Sequence, residues 1–239
     1  MKKIKGKTNN RKATRSDSSE KVQSEATREA KTLRREKAQS EAKTLRREKV
    51  PFDKPGNFLY PIPAVMVSCG TMEKPNIITI AWTGTICSDP AMVSISVRPE
   101  RYSHDIIQES GEFVINLTTR KLVRACDYCG VKSGRDADKF AETHLTPEPS
   151  HEVSCPSIAE SPVSIECKVK QMISLGSHDM FIAEVLSVSV DSSYIDSKGR
   201  FMMNKTDLAC YSHGDYLALG KKIGSFGFSV RKKRPAKRR

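Results

Sequence analysis

Two short stretches carry the residue types from which a binding site is most readily built. Arg98 and Arg101 stand just before a helix-forming segment that opens at Tyr102-Ser103. A helix start presents backbone N–H groups with no internal acceptor, and two guanidinium groups beside it favour an anion such as a phosphate. The same residues allow a plainer reading, in which Ser103 caps the helix and the arginines are solvated. The second stretch, Ala81-Trp82-Thr83-Gly84-Thr85, is a polar, glycine-containing strand end. Its free N–H and C=O groups suit a flat heterocycle with donors and acceptors along one edge. Cys126-Asp127-Tyr128-Cys129 has the spacing of a redox pair or of half a metal site. No second cysteine or histidine pair stands at zinc-finger spacing. The pair is therefore read as two packed cysteines on one helix, and no metal site is expected.

The elements that must position these residues follow from the apolar pattern. Residues 64–69 read as a first strand, 76–82 as a second and 91–97 as a third, where Val93, Ile95 and Val97 alternate with serine. Ser88-Asp89-Pro90 makes the turn before the third strand, and Pro99 stops it. A short helix spans about 102–110, with Ser103 as its N-cap and Gly111 just past its end. Residues 113–117 form a fourth strand, 120–129 a helix, and 130–160 a loop-rich region. Residues 163–169 form a strand with one wet face. The strand at 179–190 changes phase near Val185-Leu186, which predicts a bulge. Six strands with few helices predict a closed or nearly closed antiparallel barrel. The helical periodicity is too sparse for a doubly wound sheet, and no glycine-rich dinucleotide fingerprint follows any strand.

The charge of the 239-residue chain, +13 overall, is concentrated at its ends. Residues 1–50 hold 17 basic and 7 acidic side chains and no aromatic residue, and residues 231–239 hold 7 basic and no acidic ones. The middle carries a net −4, so the basic balance belongs to the arms and not to the domain at 51–230. The nonapeptide at 29–37 recurs unchanged at 41–49; only Leu33 and Leu45 could make an apolar stripe, so residues 1–50 read as a solvated, disordered or partly helical arm. The tract 231–239 has the composition of a nuclear-import or polyanion-binding segment, or of a disordered solubilising tail. It lacks aromatics for base stacking, so any nucleic-acid contact would be salt-sensitive and nonspecific. No apolar run is long enough to span a membrane and no apolar signal region opens the chain. With seven scattered cysteines, a soluble cytoplasmic protein with reduced thiols is expected.

The succession NIITIAWTGTICSDPAMVSISVRPERYSHDIIQESGEFVINL (76–117) resembles the flavin reductase-like family, the FMN-binding split-barrel proteins that include flavoredoxins. The likeness continues through Ser133-Gly134-Arg135-Asp136-Ala137-Asp138-Lys139-Phe140, Ser161-Pro162 with Glu166-Cys167, and Gly176-Ser177-His178-Asp179-Met180-Phe181. It ends at Tyr216-Leu217-Ala218-Leu219-Gly220 and Ile223-Gly224-Ser225-Phe226-Gly227, and so covers about 55–228. The resemblance implies a mainly β fold, an FMN-binding split β-barrel with short helices, assembled as a homodimer with FMN held non-covalently near the interface. It implies an oxidoreductase that passes a hydride from NADH or NADPH to flavin, or alternatively an electron carrier fed by a partner protein. Carried over by position, Ala81, Trp82, Thr83 and Gly84 would meet the isoalloxazine edge, with Cys87 beside the ring or simply a small buried apolar residue. Arg98, Tyr102 and Ser103 would hold the phosphate, and Asn116 would close the site from the fourth strand. His178 falls where family members carry Gly-Asp-His; here the triplet is Gly176-Ser177-His178, without its acid, although Asp179 follows. His178 would orient the nicotinamide or relay a proton, or else would serve as a hydrogen-bonded histidine at a strand start.

Overall fold

In the computed structural model, residues 27–38 and 49–231 are described, and they divide into two units between Gly56 and Asn57. In the first unit, residues 27–38 are helical (α1) and exposed on every side, Leu33 included. A helix without an apolar stripe has no face to bury. Residues 41–48 of the second repeat and residues 232–239 of the basic tract lie outside the described residues.

The second unit is built on one seven-stranded antiparallel sheet. Its strands are β2 (Val65–Gly70), β3 (Pro75–Ile80), β4 (Thr83–Ser88), β5 (Ala91–Val97), β6 (Glu112–Leu117), β9 (Val163–Ser174) and β10 (Asp179–Val190). They lie in the order β3-β2-β6-β9-β10-β5-β4. The edge strands β3 and β4 are consecutive in the chain and joined only by Ala81 and Trp82. Laid flat, six strand spacings of about 4.8 Å would put those edges roughly 29 Å apart. Two linking residues reach only about 10 Å. The sheet must therefore roll up, and the link stands at the seam of the resulting barrel.

Strand alternation feeds two cores. Val65, Val67 and Cys69 of β2 point into the barrel with Ile78, Ile80, Ile95, Val97, Phe113 and Phe181. The intervening Ala64 and Met66 point the other way, with Ile77, to a second cluster under two helices. Burial on both faces explains why β2 reads as a continuous apolar run. The helices are α2 (Tyr102–Ser110), whose Ile107 enters the barrel core, α3 (Val123–Val131) and α4 (Lys139–Thr143). A turn of 3-10 helix (Arg120–Leu122) precedes α3. Cys126 and Cys129 are buried in the second cluster, as two packed cysteines should be. Short strands β1 (Ile62–Pro63), β11 (Ala209–Ser212) and β12 (Asp215–Ala218) make a separate small sheet, and β7 (Pro147–Glu148) pairs with β8 (Ser157–Ile158).

The expected strands are present, and β10 shifts register between Val185 and Ser187, at the phase change in its sequence. Four details differ. The second strand stops at Ile80, and a separate strand, β4, runs where a turn approach was expected. Its residues are mostly exposed, and an edge strand with little to bury lacks the apolar alternation that marks a strand. The strand beginning at Val163 continues to Ser174. The loop-rich region 130–160 contains α4, β7 and β8, each too short to show a period. Finally, Ser103 does not cap α2: Arg101 is the capping position and makes no side-chain cap bond. Gly111, in the left-handed conformation, ends the helix as expected.

Candidate functional site

The seam of the barrel opens into two adjoining pockets that share Ile78 and Arg101. The first, about 170 Å³, is lined by β3, the Ala81-Trp82 link, Ser96, Val97 and Arg98 of the β5 end, Gly130 of α3, and His178. The second, about 260 Å³, lies between the start of α2 and the segment from Cys129 to Lys139. Together they fall within the range of about 300–1,000 Å³ typical of small-ligand sites.

The first pocket mixes polar and apolar lining, with the rings of Trp82 and His178 on its wall. Trp82 is 40% exposed, and its ring meets that of His178 at 4.3 Å between centroids, tilted by 44°. The Trp82 carbonyl accepts from the Ser96 N–H at 2.9 Å, which pins the link to β5. Burial, and then the Arg98 guanidinium, push the His178 imidazole below its ordinary value, while Glu100 pulls weakly the other way. The ring is therefore neutral at physiological pH; its Nδ1 meets the Ser177 hydroxyl at 2.9 Å, which leaves Nε2 to accept or donate one hydrogen bond.

The second pocket is cationic. The first-turn N–H groups of α2 have no carbonyl behind them within the helix, and Arg101, Lys132, Arg135 and Lys139 surround them. Lys139 is 5% exposed, and its Nζ donates to the carbonyls of Ile77 at 2.7 Å and Cys129 at 2.8 Å. Burial depresses its pKa, and one of the three ammonium protons remains uncommitted to any described residue. The Arg135 guanidinium lies over the Tyr102 ring, 5.2 Å from its centroid, and donates to the Glu100 carbonyl. Ser103 accepts from the Asn76 amide at 2.7 Å, so its hydroxyl is oriented from the sheet side. Gly134 is required here, because a Cβ would fall 2.1 Å from Asn76 Oδ1 and 2.8 Å from the Tyr102 ring.

Of the residues singled out in the sequence, Ala81, Trp82, Arg98 and His178 meet in the first pocket and Tyr102 and Ser103 in the second. Four are placed elsewhere. Thr83 and Gly84 enter the β4 ladder opposite Ile95 and Ser94, and Cys87 sits farther along that strand, its thiol against the Asp89 carbonyl. Asn116 is fully buried: its amide nitrogen donates to Met66, Ser68 and Val114, and its oxygen accepts from the Ile158 N–H and the Ser164 hydroxyl. An amide so committed joins β2, β6, β9 and β8 and has nothing to offer a ligand. Thr79, Ser96, Gly130, Lys132 and Lys139 were missed. Nothing in their types distinguishes them from surface or core residues, although Lys139 lies within the Asp138-Lys139-Phe140 stretch that carries the family likeness.

The buried thiols do not supply a redox pair. Burial raises Cys69 and Cys129 to about 11 and lifts Cys126 as well, so all three stay protonated. The seven cysteines are free, and no cluster of metal-ligating side chains occurs among the described residues. No helix among them is long and apolar enough to cross a membrane. A larger cavity of about 700 Å³ on the outer side of α3 mixes acids and bases and, of the residues singled out in the sequence, takes only Asp127 and Tyr128 of the Cys126–Cys129 stretch.

Comparisons with known proteins converge on one family. The model of the flavin reductase like domain matches residues 58–216. An uncharacterized protein of Archaeoglobus fulgidus is 32% identical over 141 residues, 59% of this chain and 79% of that one. Among solved structures, flavoredoxin of Desulfovibrio vulgaris (Miyazaki F) superposes with a TM-score of 0.70 at 32% identity, covering 77% of this chain and 100% of that one. An FMN-binding protein from Thermus thermophilus shares the fold, with a TM-score of 0.63 at 22% identity over 76% of this chain and 99% of that one. With its rolled seven-stranded sheet and a family match across most of that unit, the chain belongs to the flavin reductase-like family of split-barrel proteins.

Proposed function

We propose that the chain is an FMN-dependent oxidoreductase that takes a hydride from NADH or NADPH. The observation that carries this reading is the junction of the two pockets: a slot walled by Trp82 and His178 adjoins a cationic helix start at Tyr102-Ser103. The residues present fit FMN. Trp82 offers aromatic surface for the ring, and the backbone of β3 and of the Ala81-Trp82 link offers groups for its polar edge. The α2 N–H groups, Arg98, Arg101 and Lys139 offer donors and positive charge for the phosphate.

When bound, FMN supplies the redox chemistry, accepting a hydride from the nicotinamide and passing electrons to an acceptor. The protein's part is to bind, orient and exclude water. Trp82 would stack at the rim, Gly130 lets α3 pack closely on Thr79 of β3, and the neutral His178 would hydrogen-bond the nicotinamide carboxamide or hold a proton at one ring nitrogen. Exposed Trp82 of the link, Ile86 of β4, and Leu186 and Val188 of β10 supply apolar surface for a homodimer, with the second copy covering the slot. A second reading, an electron carrier fed by another protein, draws on the superposition with flavoredoxin and on the absence of the acidic residue from the Gly176-Ser177-His178 triplet. Mixing the FMN-loaded protein with NADH or NADPH under anaerobic conditions separates the two. Loss of the visible flavin band is expected for the oxidoreductase; persistence of the band with both nucleotides overturns it in favour of the carrier.

A further inference from the structure

His178 owes its place at the ring end to the residue that follows it. Asp179, the first residue of β10, is paired with Val97 of β5 on one side and Ser174 of β9 on the other. Successive strand residues point to opposite faces. His178 therefore faces the slot while the Asp179 carboxylate turns inward, 7% exposed, beside the barrel core. There Oδ2 meets Nε2 of His104 at 2.8 Å, and His104, 5% exposed, is the third residue of α2. Its Nδ1 faces Asp105 Oδ1 at 3.1 Å, and its ring packs edge-on against Phe181 at 5.4 Å. Ser174 and His104 hold the Asp179 carboxyl below the usual carboxylate range, so it is ionised and can only accept; Nε2 is the donor. This buried bond runs from the helix whose start forms the cationic pocket to the strand whose first residue adjoins the aromatic one. Among the described residues no other side-chain hydrogen bond joins α2 to β10, and neither residue lines the two pockets.

We propose that His104 and Asp179 are positioning residues: their bond ties the start of β10 to α2 and so holds His178 against Trp82, fixing the ring end of the slot relative to its phosphate end. A buried, charge-assisted bond is suited to this because losing one partner leaves the other desolvated and unpaired. Its catalytic meaning rests on the flavin reading, but its test does not.

Trp82 is the sole tryptophan, and protonated imidazole in ring contact quenches indole emission. In flavin-free full-length protein, emission should fall as pH is lowered through the His178 titration; the charged groups facing that ring are Arg98, Glu100 and Arg101. His178→Gln should abolish the pH-dependent quench. His104→Phe keeps the packing on Phe181 and removes the bond; it should lose half or more of the quench amplitude while circular dichroism and melting show a folded barrel. Should that variant fail to fold, the near-isosteric Asp179→Leu, which has no acceptor for Nε2, decides by the same readout, with at least a twofold smaller amplitude expected. An amplitude equal to wild type in a folded His104→Phe or Asp179→Leu protein, or a quench that survives His178→Gln, overturns the proposal. Because no flavin is present, failure to bind FMN would leave this result standing, and the two readings fail separately.

Discussion

At the scale of single residues, Lys139 bears most directly on what the second pocket is for. An ammonium group 5% exposed, with two protons on backbone carbonyls and one uncommitted, is an expensive feature unless an anion shares its charge. Lys139→Met should weaken FMN binding by roughly 10–100-fold, the equivalent of a lost charge-assisted hydrogen bond, while riboflavin, which has no phosphate, changes by less than about twofold. Parallel fluorescence titrations of the two flavins check this. His178 gives a second prediction. Arg98→Gln removes the cation that disfavours imidazolium, so the His178 pKa should rise, yet stay below the ordinary value because burial, the larger cause, remains; nuclear magnetic resonance titration of the ring protons reads it. Asp179 gives a third. Its carboxyl is held low in the folded state, so the stability it contributes is present above the unfolded-state pKa and is lost as pH falls through the folded one. Urea midpoints measured downward from neutral pH should decline less steeply for Asp179→Asn than for wild type.

At the scale of elements, the Asn116 amide belongs to the scaffold. It engages five groups on four strands, so Asn116→Ala leaves several buried donors and acceptors unpaired and should cost at least about 1–3 kcal/mol of folding stability. FMN affinity of the folded fraction should be unchanged, a combination that chemical denaturation with flavin titration distinguishes from a ligand-contact role. Asn116 also shows where reading the sequence fails: an asparagine in an apolar strand looks functional, and only its partners, 48 and 42 residues away at Ser68 and Ile158, reveal a structural tie. The strands β2, β5, β6 and β10 were legible because their alternation feeds a core on at least one face. β4 was not legible, since an exposed edge strand carries no such pattern. Half of the candidate site was legible for a related reason. Trp82, Arg98, Tyr102 and Ser103 lie within about twenty consecutive residues, whereas Lys139 and Gly130 arrive by a return of the chain through α3 and α4 that short-range spacing cannot show.

At the scale of the whole molecule, the charge and the chemistry are kept apart. With a net −4 in the middle of the chain and basic arms at both ends, an anion in the slot would be held by local cations and not by overall charge. Removing residues 1–50 and 232–239 should therefore leave flavin content unchanged, and should abolish any salt-sensitive retention on polyanion columns that the full chain shows. The topology supports the same separation, because the Ala81-Trp82 seam, the α2 start and the β10 start all belong to the unit that begins at Asn57. The central claim, that one slot grips both ends of a single FMN, is tested most directly by titrating FMN and riboflavin into the full-length protein and following visible absorption and flavin fluorescence. The account predicts saturation at one FMN per chain, with riboflavin bound at least about tenfold more weakly. A protein that leaves both spectra unchanged, or that binds riboflavin as tightly as FMN, would contradict it.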